Sequence, residues 1–187
     1  MAVHGWQTSR HAAHPTTDFS VVDAPALWSE LSAVVERTVF PTLFELFFPT
    51  SSDATALTLN DLFFVRYDAT TAEGQRALEP HRDGSILSFN IALSSPEDFV
   101  GGGTRFVGAD VVVSARRAGD LIAHSGKVLH AGDPITAGVR CILVGFVSAS
   151  GPDVNDAFLA SSMVTAAVEH QRLDLAIVNG ALVSTAR

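Results

Sequence analysis

Cysteine and lysine are nearly missing from this sequence: Cys141 and Lys127 are the only ones among 187 residues. A single cysteine excludes a disulfide framework within the chain, and a cytosol-like compartment suits it. The 12 Lys and Arg stand against 20 Asp and Glu, a formal net charge of −8. A nucleic-acid binder neutralises phosphates with clusters of Lys and Arg, and beyond Arg116-Arg117 there is no such cluster. That argues against nucleic acid as a partner. Long apolar runs are missing too: mean hydropathy is +0.27, yet no stretch approaches the ~20 residues a membrane helix needs. The N-terminus is polar and His-dotted where a signal peptide carries a basic end and an apolar block. The chain therefore reads as soluble, without a membrane partner, and as cytoplasmic if complete. What it has is apolar material, 47% against 17% charged, the reverse of a disordered composition. A chain of this length makes one domain and buries roughly 70% of the surface its unfolded form exposes.

Three stretches differ in period. Residues 1–52 form an entry segment with helices. Asp23 stands where an N-cap belongs, and Pro25 falls in the first turn. Leu27, Trp28, Leu31, Val34 and Val35 then make one apolar face. Pro41 is expected to end or kink this helix, with a second apolar turn or two from Thr42 to Phe48. The stripe calls for a covering sheet. From about Leu57 to Ser148 the period is two. Strands are expected at Leu62–Tyr67, Ser85–Leu93, Thr104–Phe106, Val111–Val113, Gly119–His124, Val128–His130 and Val139–Ser148. That spacing predicts a mainly β fold, a jelly-roll barrel or double-stranded β-helix, with the N-terminal helices on its sheet. Gly101-Gly102-Gly103 reads as a bend where backbones approach closely. A phosphate loop would continue into Gly-Lys-Ser/Thr and a helix, and this run does not. A C-terminal helix is expected over 153–180, capped by Asp153 or Asn155 and ended by Asn179-Gly180. It would pack on the barrel or support an oligomer.

The chemistry begins at His81-Arg82-Asp83. On a strand, residues i and i+2 share a face roughly 6.6 Å apart, so both side chains can converge on one metal. The pattern alone is weak, since an ion-paired surface turn gives it too. His130 adds weight. If the chain turns back near Ile135, His130 faces Arg140 across a hairpin, about 5 Å apart at the backbone. Two imidazoles and one carboxylate with open positions form the facial triad of non-haem Fe(II) oxygenases. Structural zinc prefers four protein ligands with Cys among them. Cys141 is on the opposite strand face from Arg140. An arginine pointing into a barrel beside Ile142, Val144 and Phe146 is costly unless paired. The distal carboxylate of a keto-diacid such as 2-oxoglutarate would pair it through a bidentate fork. The alternatives are a guanidinium reaching solvent, or one bridging Asp120 or Asp133.

The runs Phe64-Val65-Arg66-Tyr67, Leu78-Glu79-Pro80-His81-Arg82-Asp83-Gly84-Ser85 and Asn90-Ile91-Ala92-Leu93 resemble the catalytic domain of procollagen-lysine dioxygenases. So do Gly101-Gly102-Gly103-Thr104-Arg105-Phe106 and His124-Ser125-Gly126-Lys127-Val128-Leu129-His130, followed by Gly132, Pro134, Thr136, Gly138, Arg140 and Phe146-Val147. More broadly the stretch is similar to the prolyl 4-hydroxylase-type branch of the Fe(II)/2-oxoglutarate dioxygenases. It runs from about Leu62 to Ser148.

This resemblance implies iron ligation by His81, Asp83 and His130, and an Arg140 grip on the distal carboxylate of 2-oxoglutarate. It also implies co-substrate contacts from Tyr67 and Asn90, and strand parity sets Ser88, Asn90 and Ala92 on one face. The activity implied is hydroxylation of an aliphatic C–H by O2, with succinate and CO2 as co-products and ascorbate as the rescuing reductant. The substrate implied is a lysyl or prolyl side chain of a polypeptide. Ala92 stands where many prolyl hydroxylases have a second tyrosine. The loop Asp68 to Glu79 is longer than the family's, and such mouth loops set what enters. The lysyl enzymes are long secreted-pathway proteins with further domains and cysteines. Two alternatives stay open: a hydroxylase of a free amino acid or other small molecule, and a non-catalytic cupin-like metal-binding module. His124 reads as a structural histidine, His4, His11 and His14 as solvated ones, and Arg82 as a surface charge or a substrate contact.

Overall fold

Alternating apolar residues in the central stretch build two antiparallel sheets, and the faces they present separate a helix-covered core from a cavity. The structure, a computed structural model, describes residues 5–11, 13–48, 55–151, 154, 176–178 and 182–183. The strands are β1 (Asp18–Ser20), β2 (Ala56–Asp68), β3 (Leu78–His81), β4 (Leu87–Ala92), β5 (Phe99–Gly101) and β6 (Thr104–Phe106). They continue as β7 (Val111–Val113), β8 (Leu121–Ser125), β9 (His130–Gly132), β10 (Ile135–Ser150), β11 (Ala176–Val178) and β12 (Leu182–Val183). The larger sheet runs β1-β2-β10-β4-β8-β11-β12, with β5 also paired to β10; the smaller runs β3-β9-β6-β7.

Side-chain parity divides the larger sheet. Leu62, Leu87, Phe89, Leu143 and Val147 turn to one face and pack with Val35, Val39, Phe40 and Leu43 of the N-terminal helices. Phe63, Val65, Tyr67, Ile142, Val144 and Phe146 turn to the other. The helical stripe is thus covered by a sheet, as its pattern demands. Gly145 marks the closest approach inside this core. A Cβ there would meet the ring of Phe89. Gly145→Ala is expected to overpack the core and cost about 1–3 kcal/mol. Thermal unfolding would report this as a Tm lower by roughly 2–4 °C per kcal/mol, and an unchanged Tm would refute the close packing.

The helices differ from expectation in three ways. The first, α1 (Pro25–Val34), is preceded by Ala24, and no side chain caps it, so Asp23 is not the N-cap. Pro25 at the first position has no N–H to offer a cap. Pro41 does not end the helix either. A π-helical turn at Val35–Val39 leads directly into α2 (Phe40–Phe47), and the Phe40 N–H bonds back to the Val35 carbonyl. The wide turn makes room where proline removes a backbone donor. Val35 is buried, whereas Val34, expected in the stripe, is exposed.

The strands also depart from the pattern in places. Val128 and Leu129 belong to a turn, and β9 starts at His130 rather than ending there. The connection that follows is not a His130–Arg140 hairpin. His130 pairs with His81 and with Phe106 in the smaller sheet, whereas Arg140 pairs with Tyr67 in the larger one. β1, β3 and β5 were not expected. Gly101, Gly102 and Gly103 all take positive φ, at 87°, 74° and 124°, and a Cβ on Gly101 would lie 2.6 Å from the Pro134 carbonyl. The glycine run is therefore the tight bend its composition indicates.

Of the helix expected over 153–180, residues 153, 155–175 and 179–180 lie outside the described residues, and Ala176–Val178 is a strand, not helix. Ala176–Val178 pairs antiparallel with β8 and with β12. Ile177 and Val178 are β-branched, and the Asn179-Gly180 pair between β11 and β12 is a hairpin signal as much as a helix stop. Among the described residues no helix is long and apolar enough to cross a membrane.

Candidate active site

Between the two sheets is a cavity of about 270 Å³. His81 ends β3 and His130 begins β9, and their direct pairing sets the two rings 4.3 Å apart. Asp83 is not on the strand with His81; it follows in a turn, where its N–H donates 2.8 Å to the Gly126 carbonyl. That bond aims the carboxylate between the rings. Asp83 Oδ1 lies 3.5 Å from His81 Nε2, and Oδ2 lies 3.6 Å from His130 Nε2. One ligand atom from each residue falls within 4.8 Å of the others, a group able to hold one metal ion.

The imidazole tautomers follow from the backbone. His81 Nδ1 is 2.8 Å from the Glu79 carbonyl, and His130 Nδ1 is 2.9 Å from that of Val128. A carbonyl only accepts, so Nδ1 carries the proton and Nε2 keeps the lone pair a metal needs. Burial pushes the His130 pKa down to about 2, helped by the neighbouring His124, so the ring is neutral near neutral pH. His124 shares the device, with Nδ1 2.9 Å from the Ser125 carbonyl and its ring 4.3 Å from that of His130. Burial likewise lowers its pKa. It also lines the cavity.

Ser88 on β4 donates 2.5 Å to Asp83 Oδ2. Its neighbour in parity, Asn90, is buried and donates 3.3 Å to Thr104 Oγ1. Both line the cavity, so the shared face expected for Ser88 and Asn90 is present. Ser88 was not singled out in the sequence, because a serine on a strand carries no signal until its carboxylate partner is placed. Ser88→Ala is expected to weaken divalent-metal affinity about 10–100-fold, the usual scale for a residue that orients a ligand. Calorimetric titration of the metal checks this; an unchanged affinity would show the bond to be idle.

At the far end of the cavity lies Arg140, 6% exposed. Its guanidinium carbon sits 5.1 Å from the centre of the buried Tyr67 ring. Burial lowers the Arg140 pKa and raises that of Tyr67, each shift opposed by the other group. Among the described residues no carboxylate ion-pairs with Arg140. Asp133 is held by Arg105 at 2.7 Å, and Asp120 by Arg117 at 3.2 Å and the Arg116 N–H at 2.8 Å. The bridging alternatives are therefore taken up elsewhere, and solvent is out of reach.

Two of the N-terminal histidines are only partly exposed. His4 lies outside the described residues, but His11 and His14 line the cavity. The His14 ring is 5.1 Å from that of His81, and the His11 ring is 5.0 Å from that of Phe63. Nothing in their spacing announces this, because strand pairing of β1 with β2 brings them there. Arg82 also lines the cavity.

A two-sheet β protein with two imidazoles and a carboxylate around one point, and a buried guanidinium opposite, has the donor set of the non-haem iron oxygenases. No family model matches the chain. Among characterised proteins it is 40% identical over 88 residues to human procollagen-lysine,2-oxoglutarate 5-dioxygenase 2, covering 46% of this chain and 12% of that protein. It is 41% identical over 88 residues to the human multifunctional procollagen lysine hydroxylase and glycosyltransferase LH3. It is 38% identical over 93 residues to the procollagen lysyl hydroxylase and glycosyltransferase of Acanthamoeba polyphaga mimivirus. The chain spans 12% of the length of the two human relatives and 10% of the viral one. Among solved structures, the viral collagen prolyl hydroxylase of Paramecium Bursaria Chlorella virus-1 aligns with a TM-score of 0.46 at 18% identity, over 60% of this chain and 69% of that one. The resemblance read from the motifs stands: over this stretch the chain is similar to 2-oxoglutarate-dependent dioxygenases, and the particular relatives are lysyl hydroxylases.

Proposed function

We propose that this chain is an Fe(II)- and 2-oxoglutarate-dependent hydroxylase acting on an aliphatic C–H, most readily a lysyl or prolyl side chain of a polypeptide. The observation that carries the reading is one cavity with His81, Asp83 and His130 around a point and, at its far end, a buried Arg140 that ion-pairs with no carboxylate among the described residues. The two facing sheets are read as a double-stranded β-helix, with residues 57–148 as the catalytic core of a single domain.

The donor set fits the group it would hold. Two neutral imidazoles and one carboxylate leave coordination positions free, as Fe(II) oxygenase chemistry requires. His81, Asp83 and His130 would hold the ion. Arg140 presents a planar fork that matches a carboxylate and cannot lose its charge. Tyr67 backs that fork, and Asn90 offers an amide on the wall between the two ends. The bound iron and 2-oxoglutarate supply the activation of O2, while ascorbate is the reductant the resemblance implies. The protein's own contribution is placement and dryness. Ser88 fixes the carboxylate, the backbone carbonyls of Glu79 and Val128 fix the rings, and the apolar faces of Val65, Ile142 and Val144 exclude water.

Under anaerobic conditions the protein with Fe(II) and 2-oxoglutarate is expected to show a weak visible charge-transfer band. In air, succinate release should be stimulated by lysyl or prolyl peptides. Iron-loaded protein without the band points to the cupin-like binding module. A band with stimulation only by free amino acids points to the small-molecule hydroxylase.

A further inference from the structure

The N-terminal segment lies outside the stretch that carries the resemblance, yet it closes one end of the cavity. Along β10 the cavity face runs Arg140, Ile142, Val144, Phe146, so its two ends are roughly 20 Å apart at strand rise. Arg140 marks one end. At the other, Phe146 pairs in register with Ser88, the residue that holds Asp83. His11 packs there against Phe63 and Phe146, with ring centres 5.0 and 6.5 Å away.

This segment is anchored along its length. Gln7 and Asp18 exchange backbone hydrogen bonds of 2.8 and 2.9 Å, and the Arg66 N–H donates to the Thr17 carbonyl at 2.9 Å. Arg10 bridges Asp18 at 2.8 Å and Asp61 at 3.1 Å, and Gln75 donates to the Pro15 carbonyl at 3.0 Å. Such bonding makes a wall, not a loose tail. His11 is not used up in it. Its Nε2 is buried without a hydrogen-bond partner and stands 3.8 Å from Asp18 Oδ2, one short step beyond bonding distance.

We propose that residues 10–11 and 13–18 form the substrate-selecting wall and that His11 is its specificity-determining residue. It packs against a single extended amino-acid side chain with an aliphatic stem, which enters between it and the metal cluster. The proposal rests on the hydroxylase reading above. The cavity volume supports it: about 270 Å³ is just below the ~300–1,000 Å³ of small-ligand sites. With a keto-diacid held at Arg140, one side chain fits in the remainder and a folded segment does not. Phe63 and Phe146, packed on His11, extend the same wall with rings to which an alkyl stem is suited.

The test uses the full chain with Mn(II) in place of iron and 2-oxoglutarate present, so that binding is read without turnover. The probes are a short peptide with one lysyl residue and its norleucyl analogue, titrated by calorimetry. His11→Ala is expected to weaken both at least tenfold while Mn(II) and 2-oxoglutarate still bind as in the parent. His11→Phe, which keeps a flat ring, is expected to recover most of that loss. Unchanged peptide affinity in His11→Ala overturns the proposal, as does a parallel loss of Mn(II) affinity, the mark of a merely structural role. A parent that binds metal and 2-oxoglutarate but neither peptide also overturns it and leaves the hydroxylase reading standing. A parent that fails to bind metal and 2-oxoglutarate together removes that reading first.

Discussion

Replacing Asp83 by alanine is expected to abolish metal-dependent turnover and to lower divalent-metal affinity by more than the ~100-fold upper range for orienting residues. Asp83 is the only carboxylate within reach of both imidazoles among the described residues, and it contacts both, at 3.5 and 3.6 Å. It also supplies the one negative charge that offsets a dication there. His81 and His130 keep their carbonyl hydrogen bonds without it. The variant should therefore fold, and its metal-free Tm should stay close to that of the parent, since the Ser88 hydroxyl is the one donor among the described residues that loses its carboxylate. The parent should gain stability with metal, about 2.7 kcal/mol when the ion is present at 100 times its Kd. The variant should gain almost none. Equal metal-induced shifts in parent and Asp83→Ala would remove this residue from the centre, and with it the facial-triad reading.

How much of this was legible depends on whether a feature is local in sequence. Strand parity put Arg140 on one face with Ile142, Val144 and Phe146, and Cys141 on the other, since period-two alternation needs no knowledge of partners. The same rule put Ser88 and Asn90 together. Partner choice was not legible. His130 was expected opposite Arg140 because a short connection suggests a hairpin, but its partners are His81 and Phe106, from strands far away in sequence. The outcome at the site survives the error, since both residues reach the same cavity from different sheets. Pro41 misled in the opposite way: a π turn absorbed the missing donor where a helix end was expected. His11 and His14 were the larger loss. Their placement depends on the pairing of Asp18–Ser20 with Phe63–Val65, more than forty residues downstream, and no periodicity in a three-residue strand signals that.

Arg140 gives the second large effect, and it has two signs. A guanidinium 6% exposed, with no carboxylate bound among the described residues, is held at a cost of several kcal/mol after relaxation. Arg140→Met fills similar volume without the charge, so the variant without ligand is expected to be at least as stable as the parent. Its 2-oxoglutarate affinity should fall sharply. A hydrogen bond to a charged group contributes roughly 1.5–3 kcal/mol, which is about 10- to 150-fold in Kd. Arg140→Lys keeps a charge but not the planar fork, and its stem is shorter, so it should recover only part of that loss. Thermal unfolding with and without 2-oxoglutarate separates the effects: the parent should be stabilised by the keto-diacid, and Arg140→Met should start no lower yet fail to respond. The combination matters because a structural arginine predicts the reverse, a variant that is destabilised from the start and still binds. An Arg140→Met protein that unfolds early and keeps its 2-oxoglutarate affinity would show that the buried cation serves the fold and not a ligand.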